Sequence, residues 1–521
     1  MTTYIIRQIK FNIIFTFVFI ILYSYCSAQE KYNNVDFNQL DTYFENAITN
    51  WEVPGMAIAI VQDDSVIYSK GFGIRNINSD EKIDEYTLFG IASNTKAFTS
   101  AAIAILIDEG KISLDDPVTK YIPYFKLYAP YVTKTMTVRD LLCHRSGLET
   151  FSGDLLWYGS SYSREEVIRR AKYLKPKYGF RSHYGYSNIM YLTAGEIIPV
   201  VTGISWDDFI EQRFFKPLGM KLSNTSISKL DGIKNIAQPH VKSNDTLVTI
   251  PYISWDNIAP AGAINSNAIE MTKWIKLQLN KGTLNDKEYF SEKGSKEMWS
   301  PHTIDNFGEW EELIYPSSHF RAYGLGWELF DFHGRKVINH NGGLDGMISQ
   351  VILVPEENLG FVILTNASSS LPYILMYYIL DVFFNTYETD YSELFLGYKK
   401  QADLIGIKKK EKEENDRIKN THPTLNLANY TGTYGGEMYG NAEISIKNNQ
   451  LHIQFIPTKA LNGVLEHWHY DTFKIRWNDY PSLPSGTLQF IIGTNGKVEE
   501  MRIEVKNPDF DFTELEFLKA E

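Results

Sequence analysis

The chain of 521 residues carries a net charge of −12, with 44% hydrophobic and 22% charged residues. This length suits one large domain plus a smaller one, and the composition excludes a disordered chain. The acidic balance argues against a nucleic-acid partner, which calls for a basic face.

The N-terminus reads as a leader. "MTTYIIRQIK" holds Arg7 and Lys10, "FNIIFTFVFIILYSY" is apolar and uncharged, and "CSAQE" supplies small residues up to Ala28. The apolar run is shorter than the about 20 residues of a membrane span. Residues 1–28 are therefore expected to be a cleaved signal peptide of a periplasmic or secreted protein, with no stable membrane span afterwards. Lipid anchoring through Cys26 is the alternative. Once Cys26 is removed, Cys143 stands alone and no intramolecular disulfide can form. No Cys/His zinc spacing occurs, and "HWH" at 467–469 reads as strand packing or solvated surface rather than a metal site.

"GMAIAIVQDDSVIYSKGFG" predicts a hairpin turning at Asp63 and Asp64. Residues 93–109 predict a helix closed by Gly110. The middle of the chain is mainly helical, with turn-rich insertions around 150–165 and 225–255. Strands return in "KVINHNGG", "MISQVILVP" and "LGFVILTN", followed by an apolar helix near 371–384. Strands at both ends of a helical region imply one antiparallel sheet built from both ends, with helices packed on it. The charged run "YKKQADLIGIKKKEKEENDRIKN" predicts a helical linker over 391–421. It divides a large domain at 29–390 from short alternating strands with Asn/Gly turns at 422–521, an all-β, barrel-like module.

The predicted helix opens on "GIASNTKAF". Ser93 and Lys96 are three residues apart and share one helix face. At a helix start the Ser93 N–H lacks an intrahelical partner, and the positive end of the helix dipole favours a developing oxyanion. A desolvated Lys96 has a lowered pKa and can accept the Ser93 proton. The plainer reading is a capping serine with a lysine snorkelling from the first turn. "YGYSNIMYLTAG" places Tyr186 and Asn188 at the head of another helix. Tyr186 can relay a proton to a leaving group if neighbouring cations lower its pKa. Asn188 can donate to substrate and accept from Lys96. Here the plainer reading is an aromatic helix start with an asparagine cap. "VINHNGGLDGMIS" places His340, Asn341, Gly342 and Gly343 at the end of a strand, where glycine permits close approach of a substrate backbone. The Gly343 N–H is a candidate second oxyanion donor, and a Gly-rich turn with an incidental histidine is the alternative.

In order, these three motifs resemble those of the class C β-lactamase and penicillin-binding-protein-like serine hydrolases, whose pattern is Ser-x-x-Lys, Tyr-x-Asn and Lys- or His-x-Gly. "LDDPVTKYIP", "TVRDLLCHRSGL", "PAGAINSNAIEMTKWI" and "YGLGWEL" look like the same family, and the resemblance covers roughly residues 35–385. It implies an α+β fold: an antiparallel sheet flanked by helices, plus an all-helical lobe, with the site between them. It also implies roles: Ser93 nucleophile, Lys96 activating base or hydrogen-bond partner, Tyr186 proton shuttle, Asn188 positioning substrate and Lys96, His340 and Gly342 on the substrate side, and the Ser93 and Gly343 backbones forming the oxyanion hole. His144 and Ser146 become supporting loop residues. The implied chemistry is acyl transfer through an acyl-enzyme, with no metal or other cofactor. The C-terminal module is similar to the lipocalin-like domain appended to some peptidase-like members.

The chain departs from the β-lactamase form of the pattern. His340 stands where those enzymes usually carry lysine, and Asn341 where threonine is common. A neutral histidine supplies no permanent charge for a β-lactam carboxylate. The expected substrates are thus small peptides or esters. The alternatives are a true class C-type β-lactamase or D-alanyl carboxypeptidase, a non-catalytic binder of cell-wall peptides or β-lactams, and a carbohydrate or lipid binder whose function lies in the β module. The oligomeric state stays open.

Overall fold

"GMAIAIVQ" is apolar on both faces of its alternation, which suits a strand covered on both sides. In the computed structural model, which describes residues 35–243, 245–479, 483–507 and 509–520, it forms β1 (Gly55–Gln62), buried along its whole length. The leader expected over 1–28 lies outside the described residues. Asp63 and Asp64 both take positive φ, the pattern of a type I′ turn, and lead into β2 (Ser65–Gly73).

The remaining strands of the sheet come from far down the chain. They are β3 (Thr303–Asp305), β4 (Arg321–Tyr323), β5 (Glu328–Phe332), β6 (Arg335–Leu344), β7 (Met347–Val354) and β8 (Leu359–Thr365). The order is β2-β1-β8-β7-β6-β5-β4-β3, antiparallel throughout. Met56 pairs with Thr365 across β1 and β8, so the sheet joins both ends of the domain, as the strand distribution implied.

The longer helices among the described residues are α1 (Phe37–Asn50), α2 (Thr95–Asp108), α3 (Asn188–Thr202), α4 (Ala268–Leu279), α5 (Leu371–Phe384) and α6 (Tyr391–Asp416). On one face α1 and α5 bury Leu40, Phe44 and Leu375 against Ile58 and Ile363. On the other, α4 packs on β1, β7 and β8. α2 lies behind α4, with Phe98 stacked on Trp274 at 3.7 Å between ring centroids. Alanine-rich and apolar all round, α2 has the composition of a fully buried helix, and Thr95 to Leu106 are buried without exception. Gly110, at φ +68°, follows its end. Among the described residues no single helix is long and apolar enough to cross a membrane.

α6 exposes almost all of its surface and carries an i,i+4 ion pair, Lys399–Asp403 at 2.7 Å. Beyond it, β9 (Gly432–Gly436) to β16 (Phe517–Lys519) form a closed, antiparallel, eight-stranded barrel. Each strand pairs with the next, and Tyr434 opposite Lys519 closes the ring. The barrel is seated on the helical lobe. Ser161 N–H donates to the Pro457 carbonyl at 2.8 Å and Tyr162 Oη to the Tyr439 carbonyl at 2.6 Å. One apolar core runs through both, from Trp157 and Tyr158 to Tyr439 and Phe512.

Candidate active site

Ser93 sits in a 3₁₀ turn, Ala92–Asn94, that feeds α2. Ala92 just before it is left-handed, at φ +45°, a conformation that costs a non-glycine residue about 1–3 kcal/mol and concentrates at functional sites. β7 anchors the turn: Asn94 Nδ2 donates to Ser349 Oγ at 2.8 Å, and Ser349 Oγ donates to the Ile91 carbonyl at 2.7 Å. β6 presses on it as well. A Cβ at Gly342 would lie 2.2 Å from the Ile91 oxygen and 3.0 Å from the Ser93 nitrogen, so only glycine lets the strand approach so closely.

Lys96, the second residue of α2, is fully buried. Its Nζ donates to Ser93 Oγ at 3.0 Å, to Asn188 Oδ1 at 2.7 Å and to the Ala261 carbonyl at 2.8 Å. Burial holds its pKa well below the usual lysine value, with the Asp154 carboxylate acting in the opposite sense. Lys96 Nζ also lies 4.7 Å from the centre of the Tyr186 ring. Tyr186 precedes α3, where His144 Nδ1 accepts the Ser187 N–H at 3.0 Å and the His144 ring stands 4.2 Å from that of Tyr186. Burial pushes the Tyr186 phenol well above 10, and a hydrogen bond with Ser93 lowers it only in part. The sequence had asked for a tyrosine acidified by neighbouring cations. A water-poor setting beside a lysine that is itself disfavoured as a cation gives the reverse, a firmly protonated phenol.

His340 is not where the sequence reading put it. It is fully buried, with Nε2 bonded to the Tyr323 hydroxyl at 2.9 Å and Nδ1 to the Asn341 carbonyl at 2.5 Å. The alternation of β6 turns His340 and Gly342 inward, whereas Asn341 and Gly343 are exposed and line the cleft. Burial, with Lys96 nearby, pushes His340 down to about 3, so the ring is neutral at neutral pH.

The cleft over Ser93 has a volume of ≈ 510 Å³. Rings from Phe151, Trp157, Tyr158, Tyr184, Tyr186, Trp255 and Phe510 line it, with the carboxylates of Asp154, Glu328, Asp345 and Asp509. Sequence reasoning missed Asp154. Its Oδ2 accepts from Asn188 Nδ2 at 2.7 Å and its Oδ1 from Trp157 Nε1 at 2.8 Å. Burial pushes Asp154, Glu328 and Asp345 up to about 7. Asp154 stands in a turn-rich insertion without periodicity, so no local signal singled it out. The arrangement joins a hydroxyl, a buried amine whose charged form is disfavoured, a protonated phenol and a fixed amide within one cleft, the parts that acyl transfer requires.

A family model described as Beta-lactamase matches residues 40–377. The chain belongs to the beta-lactamase family. A second model, a domain of unknown function (DUF3471), matches 416–519 and so covers the barrel. The chain is 26% identical over 433 residues to unguisins hydrolase ungD' of Aspergillus campestris, spanning 76% of this chain and 75% of that protein. It is 30% identical over 339 residues to protein flp of Staphylococcus aureus, spanning 64% of this chain and 63% of that one. The fold is that of the octameric penicillin-binding protein homologue from Pyrococcus abyssi (TM-score 0.61, 22% identity, 93% of this chain and 100% of the other). It is shared with SurE as well (TM-score 0.53, 16% identity, 93% and 98%).

Proposed function

We propose that the protein is an exported serine hydrolase that cleaves small peptides or esters through an acyl-enzyme on Ser93. The observation that carries this is the bond from a buried Lys96 to Ser93 Oγ at 3.0 Å. Unprotonated, Lys96 keeps two N–H bonds, to Asn188 Oδ1 and the Ala261 carbonyl, and its lone pair takes the hydroxyl proton as Ser93 Oγ attacks the acyl carbon. The Ser93 and Gly343 N–H groups receive the oxyanion. The Tyr186 phenol protonates the departing amine or alkoxide, and water then releases the acyl group by the reverse sequence. Export rests on the leader-like pattern of residues 1–28.

The lack of a fixed cation among the cleft's described lining residues favours peptides and esters over β-lactams. Four carboxylates and no lysine or arginine stand among its described lining residues, and His340 is neutral and turned inward. An anionic β-lactam therefore lacks a charge-assisted hydrogen bond worth roughly 1.5–3 kcal/mol, about ten- to a hundredfold in rate. The intact Ser93–Lys96 pair speaks against a silent binding protein. The test offers the purified protein nitrocefin, D-amino-acid p-nitroanilides and short-chain p-nitrophenyl esters side by side, with Ser93→Ala as the blank. Amides or esters should have the higher kcat/KM. Nitrocefin turned over far faster than all of them would make the enzyme a true β-lactamase.

A further inference from the structure

The barrel does more than sit beside the cleft. Its segment before β16 carries Asp509 and Phe510 into the cleft wall, with Phe510 4.2 Å from the Tyr158 ring. Four residues on, Glu514 reaches across the domain boundary. Its carboxylate accepts the Gly153 N–H at 2.8 Å and the Ser152 hydroxyl. The next residue in that loop is Asp154, which holds Asn188 Nδ2 at 2.7 Å, and Asn188 Oδ1 holds Lys96 Nζ at 2.7 Å. Two hydrogen-bonded stretches, joined by the Gly153–Asp154 peptide link, thus run from the barrel to the amine beside Ser93.

We infer that the C-terminal barrel is a positioning element of the catalytic centre: Glu514 clamps the 152–154 loop and, through Asp154 and Asn188, fixes where Lys96 stands. The inference rests on the reading of Ser93 and Lys96 as the reacting pair. Its physical basis is that the Ser152 and Gly153 groups gripped by Glu514 are adjacent in sequence to the carboxylate that orients the asparagine. Gly153 is left-handed at φ +79°, and the loop is pinned from two sides, by the Phe151 N–H to the Tyr186 carbonyl at 2.9 Å ahead of α3 and by Glu514 from the barrel. Other contacts between barrel and lobe serve as internal controls. Lys175 and Glu516 pair at 3.0 Å with both side chains exposed, and they lead to no catalytic group.

The test uses the full chain and a p-nitrophenyl ester. Glu514→Ala is expected to lower kcat on the order of tenfold with KM nearly unchanged, because the loss falls on the geometry of the reacting groups. Glu514→Gln can still accept from Gly153 and donate to Ser152, and should recover most of that rate. Ser152→Ala removes one of the two bonds from the other side and should cost a few-fold in kcat without moving the melting temperature. Glu516→Ala should behave as wild type. A folded Glu514→Ala at the wild-type rate overturns the inference, as does an equal loss in Glu516→Ala, which would mean that docking alone matters. Should Glu514→Ala fail to fold, unchanged kcat in Ser152→Ala overturns it. Failure of the serine-hydrolase reading is separate: Ser93→Ala would then retain full turnover.

Discussion

Gly342→Ala should damage chemistry far more than folding. The added Cβ would stand 2.2 Å from the Ile91 oxygen, 2.5 Å from Ser349 Oγ and 3.0 Å from the Ser93 nitrogen. Two of these three atoms are backbone of the Ser93 turn, and the third is the hydroxyl that ties that turn to β7. Relief to ordinary contact near 3.5 Å requires β6 and the turn to part by about 1 Å. Overpacking of this kind costs about 1–3 kcal/mol, a melting shift of a few degrees in a chain this long. A 1 Å displacement between Ser93 and the strand bearing Gly343 costs on the order of 10²-fold, and loss of an oxyanion donor 10²- to 10³-fold. Ester hydrolysis and thermal unfolding of the same preparation separate the two effects. Gly397→Ala, on exposed α6, is the control, since its Cβ meets nothing within 4 Å. Gly342→Ala within a few-fold of wild type, or Gly397→Ala equally impaired, would contradict this expectation.

Further outcomes follow from the same geometry. Lys96→Ala and Tyr186→Phe should each lower kcat on the order of 10³-fold or more, since both act with Ser93 as a unit; near-normal turnover of either would remove it from the mechanism. The acidic limb of the pH profile of kcat/KM should lie well below the ordinary lysine pKa of 10.5, because burial depresses Lys96 and the rate rises as it loses its proton. A limb at the ordinary value would contradict a desolvated base. His340 has a folded pKa of about 3 against 6.5 in the free side chain, so its contribution to stability is present above 6.5 and is lost as pH falls towards 3. Denaturant unfolding of wild type and His340→Asn should therefore converge in stability as pH falls through that window, and parallel curves would exclude a neutral buried histidine.

What was legible in the sequence was what short-range geometry decides. Ser93 and Lys96 meet because residues three apart share a helix face, and the hairpin at Asp63–Asp64 follows from alternation and turn chemistry. The sheet joined from both ends followed from where the apolar strands fall. Contacts across long stretches of chain were not legible. Glu514 and Ser152 are 362 residues apart, and both lie in turns whose composition carries no periodicity. The charged α6 read as a separator, yet the apolar core beyond it is continuous with that of the helical lobe. The inward face of His340 and the protonated state of Tyr186 depend on what packs against them, which no local pattern records.

The most direct test of the central claim is covalent labelling with a fluorophosphonate, read by mass spectrometry of the digested protein. A single adduct is expected, on the peptide carrying Ser93, absent in Ser93→Ala while that variant melts at the wild-type temperature. Equal labelling of Ser93→Ala, or an adduct mapped to another serine such as Ser146 or Ser187, would contradict it.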